Sequence, residues 1–154
     1  QIDRAMPSPH SDELGLVLML LTQDFQRRLD ADLHSRGIPG IGARHRLVFL
    51  HLSRHGASRS VELAQQAGVR PQSMMKIVHE LEELGLVERG PDPQDSRAKR
   101  IVLTAAGQRL VRELRRSTET VWTQYAALAG EPFLEATFQG MQKLLELGQG
   151  EKQE

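Results

Sequence analysis

The 154-residue chain contains no cysteine, and its twenty basic residues are balanced by twenty acidic ones. The absence of cysteine excludes a disulfide scaffold, an all-thiolate zinc site and a thiol-based redox switch. No apolar run approaches the roughly 18 residues that cross a bilayer, and the longest, residues 14–22, is interrupted by Gly15. The zero net charge shows that the chain as a whole is not a polycation. We therefore expect a soluble, cytoplasmic protein that has no membrane partner.

Motifs of the common enzyme classes are also missing from the sequence. There is no glycine-rich phosphate loop, no Gly-x-Ser-x-Gly nucleophile motif and no His-Glu-x-x-His metal motif. Six scattered histidines do not form a catalytic triad by their spacing. We expect no enzymatic activity, no cofactor and no bound metal. His51 and His55 are four residues apart and could share one helix face, so a metal-responsive protein remains an alternative.

The charges are distributed unevenly along the chain. Residues 41–103 contain ten Lys or Arg and seven Asp or Glu, whereas the flanking segments together contain ten and thirteen. Residues 41–61 contain four arginines and no acid. A basic centre between acidic flanks indicates a surface that attracts an anion.

Apolar residues recur at spacings of three and four, which predicts a mainly helical protein. The predicted helices cover residues 11–36, about 43–54, about 61–67, 71–84, 105–129 and 131–147. Pro71 suits the first position of the fourth helix, and Thr104 is a good N-cap for the fifth. We expect the last helix to bury an apolar stripe. Its members are Phe133, Leu134, Phe138, Met141, Leu144 and Leu145.

Two short strand candidates follow the fourth helix. Residues 86–89 and 100–103 are separated by residues 90–99, which are polar and rich in turn-forming residues. A hairpin directly after a helix–turn–helix is a winged-helix arrangement. We therefore predict an α+β fold, mainly helical, in which a winged helix–turn–helix with a small β-hairpin wing is flanked by N- and C-terminal helices.

The fourth helix has two chemically different faces. One is apolar and should pack on the second and third helices; it comprises Met74, Ile77, Val78, Leu81 and Leu84. Gln72, Lys76 and His79 point the opposite way, with Ser73 beside them. The positive N-terminal end of such a helix suits the major groove of DNA, where these side chains can contact bases or phosphates. An ordinary amphipathic helix with a solvated face remains the alternative.

The loop between the strands is basic at its tip. Residues 95–100 contain three bases and one acid. A long arginine at a hairpin tip can enter a minor groove, and Asp95, two residues from Arg97, could hold the loop in shape. A solvated turn remains the alternative.

Three motifs resemble the signature of the MarR family of transcriptional regulators. They are Leu81-Glu-Glu-Leu-Gly85-Leu-Val-Glu-Arg89, Asp95-Ser-Arg97 and Ile101-Val-Leu-Thr104-Ala-Ala-Gly107. The resemblance extends over nearly the whole order of elements. It implies a homodimer built on the first, fifth and sixth helices, with two winged domains that bind a pseudo-palindromic double-stranded DNA site.

The resemblance also assigns roles to individual residues. The helix contacts to DNA would come from Arg70, Gln72, Ser73, Lys76 and His79. The wing contact would be Arg97, braced by Asp95, with Lys99 and Arg100 on phosphates. Met75 stands where the family often has a small hydroxyl residue, so the operator sequence does not follow from the resemblance.

The resemblance divides the chain into a dimerisation region and a DNA-binding domain. We expect residues 11–36 and 105–147 to form a helical dimerisation region and residues 41–104 the winged helix–turn–helix DNA-binding domain. Residues 1–10 and 148–154 are expected to be flexible tails.

The resemblance further implies a repressor that a small aromatic or phenolic ligand releases from DNA. The ligand would bind between the dimerisation region and the winged domain. Candidate pocket residues are Phe25, Leu29, His34, Arg44, His45, Val48, His51 and Leu52. Each of these could instead simply pack the junction. A winged-helix protein–protein adaptor without DNA binding is a further alternative, although an adaptor has no need of Arg97, Lys99 and Arg100.

Overall fold

The computed structural model describes residues 8–38 and 40–151. Within them lie six helices and two strands. The helices are α1 (Ser11–Ser35), α2 (Ala43–His55), α3 (Ser60–Ala67), α4 (Pro71–Glu83), α5 (Ala105–Ala129) and α6 (Glu131–Gly150), and the strands are β1 (Val87–Pro91) and β2 (Lys99–Leu103). The predicted winged helix–turn–helix with flanking helices is confirmed. No helix among these residues is long and apolar enough to cross a membrane.

The C-terminal end of α6 differs from the prediction. Residues 1–7 and 152–154 of the predicted tails lie outside the described residues. Residues 148–150 were expected to be a tail, but α6 continues to Gly150. Glycine lowers helix stability by about 1 kcal/mol relative to alanine and does not by itself end a helix.

Two helix starts follow local rules. Pro71 is the first residue of α4, where its missing N–H costs no hydrogen bond. Thr104 caps α5, because its Oγ1 accepts a hydrogen bond from the Gly107 amide at 3.1 Å. Thr104 also donates its hydroxyl to the carbonyl oxygen of Gly85 at 2.6 Å, which ties the end of the wing to the end of α4.

The winged domain has one core, made by α2, α3, α4 and the hairpin together with part of α5. Met74, Ile77, Val78 and Leu81 of α4 are buried in it. Leu84 was expected on this face, but its side chain is 61% exposed. It occupies the C-cap of α4, and Gly85 with φ +71° then turns the chain away.

The hairpin is antiparallel and pairs with a third segment. Val87 lies opposite Leu103 and Pro91 opposite Lys99. Ser58 exchanges two backbone hydrogen bonds with Ile101, at 2.8 and 3.1 Å. The wing is therefore attached to the segment that leads into α3, a pairing that no local sequence pattern indicates.

The flanking helices pack against each other around a second, smaller core. Leu29 and Leu33 of α1 meet Val121 of α5. Tyr125 of α5 donates its hydroxyl to Asp24 of α1 at 2.7 Å. The pKa of Asp24 falls to about 2, chiefly because Arg28 and Tyr125 donate hydrogen bonds to its carboxylate. These contacts hold α1 and α5 in fixed register.

The apolar stripe of α6 is not buried in the single chain, contrary to expectation. No side chain of α6 is buried, and Leu144 is 71% exposed. In its contact with α5, Trp122 packs edge-to-face on Phe138 with ring centroids 5.8 Å apart, and the Trp122 indole donates to Glu131 at 3.0 Å. The apolar side chains in the first half of α1 are also exposed to solvent. Its exposed apolar residues are Leu14, Leu16, Val17, Leu18, Met19, Leu20 and Leu21.

Candidate nucleic-acid interface and adjoining groove

The polar face of α4 is open to solvent. Arg70, at the N-cap, and Gln72, Ser73, Lys76 and His79 are all exposed. The first turn of α4 contains no acidic residue, so the positive end of the helix dipole is not neutralised there. The structure thus brings the five predicted helix residues onto one accessible surface. Their contact with DNA stays a prediction.

The acidic residues of α4 lie in its C-terminal half, where Glu80 and Glu82 contact neighbouring elements and Glu83 lies 3.2 Å from His79 of the same helix. Glu82 forms an ion pair with Arg89 of β1. Glu80 accepts a hydrogen bond from His45 of α2, with Nε2 and Oε2 3.0 Å apart. These carboxylates therefore fix α4 against the wing and α2. Their charge is partly compensated on the side away from the helix N-terminus.

The tip of the wing is held by Asp95. Its carboxylate accepts a hydrogen bond from the Arg97 amide at 2.9 Å, and its backbone carbonyl accepts one from the Ala98 amide at 3.1 Å. Arg97 and Lys99 are exposed, and neither has an ion-pair partner within the described part of the chain. The loop therefore presents Arg97 on a backbone that is locally fixed.

Asp92, which was not predicted as a site residue, forms several contacts at the base of the wing. Asp92 is buried, and its Oδ2 lies 2.7 Å from Nε of Arg59 and 3.3 Å from Nε of Arg100. Its Oδ1 accepts the Gln94 amide at 2.8 Å. The hydrogen bond from Gln94, followed by that from Arg59, lowers the pKa of Asp92 to about 2.

Arg100, which was expected to contact a DNA phosphate, is half-buried, and its Nε faces Asp92. Its contact with DNA stays a prediction. Arg59, which precedes α3, is the second arginine of the brace. It was missed because Arg59 and Asp92 are 33 residues apart in the chain and no motif connects them.

His51 and His55 lie side by side, with ring centroids 4.6 Å apart. Both ring nitrogens of His51 are buried without a hydrogen-bond partner within the described residues. Burial and the neighbouring His55 lower the pKa of His51, and Glu62 of α3 opposes that shift. In the described residues no third His, Asp or Glu completes a metal-binding group with this pair.

The buried ring nitrogens of His51 lead to an expected pH dependence of stability. Because its folded pKa is depressed, the unfolded chain takes up the proton more readily. The free energy of unfolding should fall as the pH decreases below about 6.5. His51→Gln should reduce this loss in urea titrations between pH 7 and 5. His34→Gln, which removes an exposed histidine, should retain it, and equal slopes in both variants would refute the assignment.

A groove of about 740 Å³ lies between α1, α2 and α5. It is lined by Phe25, Gln26, Leu29, Ala43, Arg46, Leu47, Phe49, Leu50, Ser53, Arg54, Val111, Leu114, Arg115, Thr118, Glu119 and Trp122. Two of the predicted pocket residues, Phe25 and Leu29, are among them. This volume is typical of pockets for small organic molecules.

The other six predicted pocket residues lie elsewhere. Val48 and Leu52 belong to the core of the winged domain, and His45 contacts Glu80. The remaining three are Arg44, which is exposed, His51, which packs on His55, and His34, which lines a separate hollow beside Ile41. Five of these six residues are on α2, where apolar residues occur on both sides of the helix, and the contact of all six with a ligand stays a prediction.

Comparison with known proteins supports the fold. The family model for the MarR family matches residues 37–98. An HTH-type transcriptional regulator of Mycobacterium tuberculosis is 34% identical over 68 residues, which are 44% of this chain and 48% of that protein. An uncharacterized HTH-type transcriptional regulator of Mycobacterium leprae matches equally. The matched segment spans about half the length of these curated relatives.

Solved structures match over nearly the whole chain. The transcriptional regulator PA4135 is 24% identical, with a TM-score of 0.73, over 92% of this chain and 98% of that one. A MarR family regulator from Rhodococcus sp. RHA1 is 22% identical, with a TM-score of 0.73, over 90% and 96%. NadR, solved in complex with 4-hydroxyphenylacetate, is 21% identical, with a TM-score of 0.69, over 91% and 96%. At these identities the matches show a shared fold.

Proposed function

We propose that the protein is a sequence-specific DNA-binding repressor of transcription, since the family model for the MarR family matches residues 37–98. The observation that carries this proposal is the pairing of two accessible elements. The N-terminal face of α4 presents polar and basic side chains without an acid, and the wing presents Arg97 on a fixed tip. A helix and a basic hairpin tip suit adjacent major and minor grooves.

The repressor is proposed to act as a homodimer. Residues 11–36 and 105–147 would form the dimerisation region, and residues 41–104 would be the DNA-binding domain. The support is the pair of exposed apolar surfaces on the first half of α1 and on α6, which a second copy can cover. Two winged domains related by a two-fold axis suit a pseudo-palindromic operator. We expect such a regulator in the cytoplasm, where its target DNA is located.

The groove between α1, α2 and α5 is the proposed effector site. It lies where the flanking helices meet the winged domain, and the similar protein NadR was solved with the phenolic ligand 4-hydroxyphenylacetate. A small molecule that binds better when the two α4 helices are wrongly spaced for DNA shifts the population away from the DNA-bound form. A differential affinity of a few kcal/mol is sufficient for that shift.

The direct test is a fluorescence-anisotropy titration of the full chain. A duplex from upstream of its own gene is compared with a scrambled duplex at two salt concentrations. We expect tight, salt-sensitive binding that favours the native duplex and saturates at one dimer per site. Absence of binding to either duplex at low salt would contradict the proposal and favour the protein–protein adaptor.

Two substitutions separate the roles of helix and wing. Arg97→Ala should weaken binding to every duplex and reduce the salt slope by about one unit, because one cationic contact is lost. Gln72→Ala should instead change the preference among operator variants, by about 1–3 kcal/mol at a single base position. Arg112→Ala, which removes one exposed charge from α5 outside the apolar surfaces of α1 and α6, is the matched control and should leave both properties unchanged. Equal losses on all duplexes for Gln72→Ala would exclude it as a base-reading residue.

A further inference from the structure

The loop at the tip of the wing has one polar link to the rest of the winged domain. Residues 92–98 form this loop, beyond the last residue pair of the two strands. Its other hydrogen bonds, including those that Asp95 accepts, stay inside the hairpin. Within the described part of the chain, the ion pair that joins the loop to another element runs from Asp92 to Arg59. This ion pair is therefore the polar contact that sets the orientation of the loop, and of Arg97 on it, against the domain.

Asp92 is buried although it carries a charge. Its Oδ2 lies 2.7 Å from Nε of Arg59 and 3.3 Å from Nε of Arg100, and its Oδ1 accepts the Gln94 amide at 2.8 Å. A buried carboxylate is stable as an ion only where such partners replace water. Both arginine side chains are half-buried, so water can hydrate their charge if an amide replaces the carboxylate. The contact can therefore be removed without leaving a fully buried charge unpaired.

Arg59 is itself held in place by the backbone around it. It is the N-cap of α3, and Ser58 before it exchanges two backbone hydrogen bonds with Ile101 of β2. Helix α3 packs against α4, so a contact with Arg59 joins the wing loop to the frame that carries the exposed face of α4. The ion pair between Asp92 and Arg59 thus fixes the tip of the wing relative to α4.

We propose that Asp92 is a positioning residue for DNA binding: through Arg59 it holds the wing loop against α3, so that Arg97 meets the minor groove while α4 occupies the major groove. Asp92 is buried and does not itself touch DNA. The inference rests on the proposed function, because it adds a residue to the same interface. A wing loop that is not held in advance loses conformational freedom when it binds, and this loss weakens the complex.

The test is a fluorescence-anisotropy titration of the full chain with the duplex from upstream of its own gene. Asp92→Asn keeps the size of the side chain and the acceptor for the Gln94 amide, but it removes the ion pairs. We expect it to weaken binding about 3- to 10-fold, and by no more than Arg97→Ala does, because Asp92 acts through the wing. Glu88→Gln is the matched control. It removes one exposed carboxylate from β1 of the same hairpin and should not weaken binding.

A double-mutant cycle distinguishes positioning from a general loss of structure. In the Arg97→Ala background, Asp92→Asn should cause no further loss of affinity, since the contact through which it acts is already gone. In the Gln72→Ala background it should cause the same fold-loss as in the wild type, because the contact of α4 is separate. A domain that is merely destabilised would lose affinity in both backgrounds. Titration at low salt keeps the weakest complexes measurable.

Arg59→Lys provides a second, milder variant. Lysine keeps a cation beside the buried carboxylate, but it lacks the fixed geometry of the guanidinium. We expect a smaller loss than for Asp92→Asn, and this loss should also disappear in the Arg97→Ala background. Urea unfolding of each variant shows whether the domain is folded, and Arg59→Lys keeps the test decisive if Asp92→Asn does not fold.

The outcomes separate this inference from the proposed function. If the wild-type protein binds its operator and Asp92→Asn binds equally well, or loses as much affinity in the Arg97→Ala background, the inference is overturned while the repressor proposal stands. If Asp92→Asn binds every duplex more tightly and with a steeper salt dependence, Asp92 withholds its two arginines from phosphates and the positioning role is wrong. Absence of operator binding by the wild-type protein would instead contradict the proposed function.

Discussion

Gly107→Ala is expected to lower the free energy of unfolding by about 3 kcal/mol, although alanine is the better helix former. Gly107 lies in the first turn of α5, where a Cβ would fall on the carbonyl oxygen of Leu86. The carbonyl carbon of Leu86 would be 3.1 Å away, and Cδ2 of Leu103 would be 3.2 Å away. The Leu86 carbonyl cannot retreat freely, because it accepts the Thr104 amide at 3.1 Å.

Urea unfolding of wild type and variant measures this loss. Gly148→Ala in α6 is the matched control, since an added Cβ there has no neighbour within 4 Å. It should leave stability unchanged or raise it by a few tenths of a kcal/mol. A Gly107→Ala protein as stable as wild type would show that the start of α5 does not approach the hairpin so closely.

Leu144→Glu is expected to convert the protein into a monomer and to reduce operator affinity by at least about 100-fold. The side chain is 71% exposed on the apolar stripe of α6, where the proposed homodimer would bury it. A buried carboxylate without a partner strongly opposes that association. The reduction in affinity follows because each winged domain then binds its half-site without the gain from linkage to a second domain.

Light scattering coupled to size-exclusion chromatography and operator titration together check this expectation. Leu84→Glu is the matched control, because Leu84 is also largely exposed but lies at the end of α4 outside the proposed interface. It should remain a dimer. A dimeric Leu144→Glu protein with unchanged operator affinity would remove α6 from the interface.

Local rules were sufficient wherever neighbouring residues decide the structure. The amphipathic spacing of α4 correctly predicted the burial of Met74, Ile77, Val78 and Leu81. Pro71 and Thr104 marked two helix starts, and the polar segment between the strand candidates marked the hairpin. These features predict the winged helix–turn–helix because capping, periodicity and turn formation depend on residues at most a few positions apart.

The side of α2 that faces the groove could not be read from the sequence. Val48 and Leu52 are buried in the core of the winged domain, whereas Leu47 and Leu50 line the groove, and all four side chains are apolar. Hydrophobic periodicity shows that a helix has an apolar side, but it does not show which neighbouring element packs on each side. Five of the six candidate pocket residues that lie outside this groove are on α2, and the ambiguity concerns them.

The sequence by itself determined the order of elements, the exposed face of α4 and the basic tip of the wing. Tertiary structure alone decided that Asp92 joins Arg59 and Arg100, that Gly107 touches the Leu86 carbonyl, and that Gln26 is buried in the groove. The physical reason is the range of the interactions involved. Hydrogen-bonded turns and helical stripes repeat along the chain, whereas ion pairs, close backbone contacts and pocket walls join residues that only packing brings together.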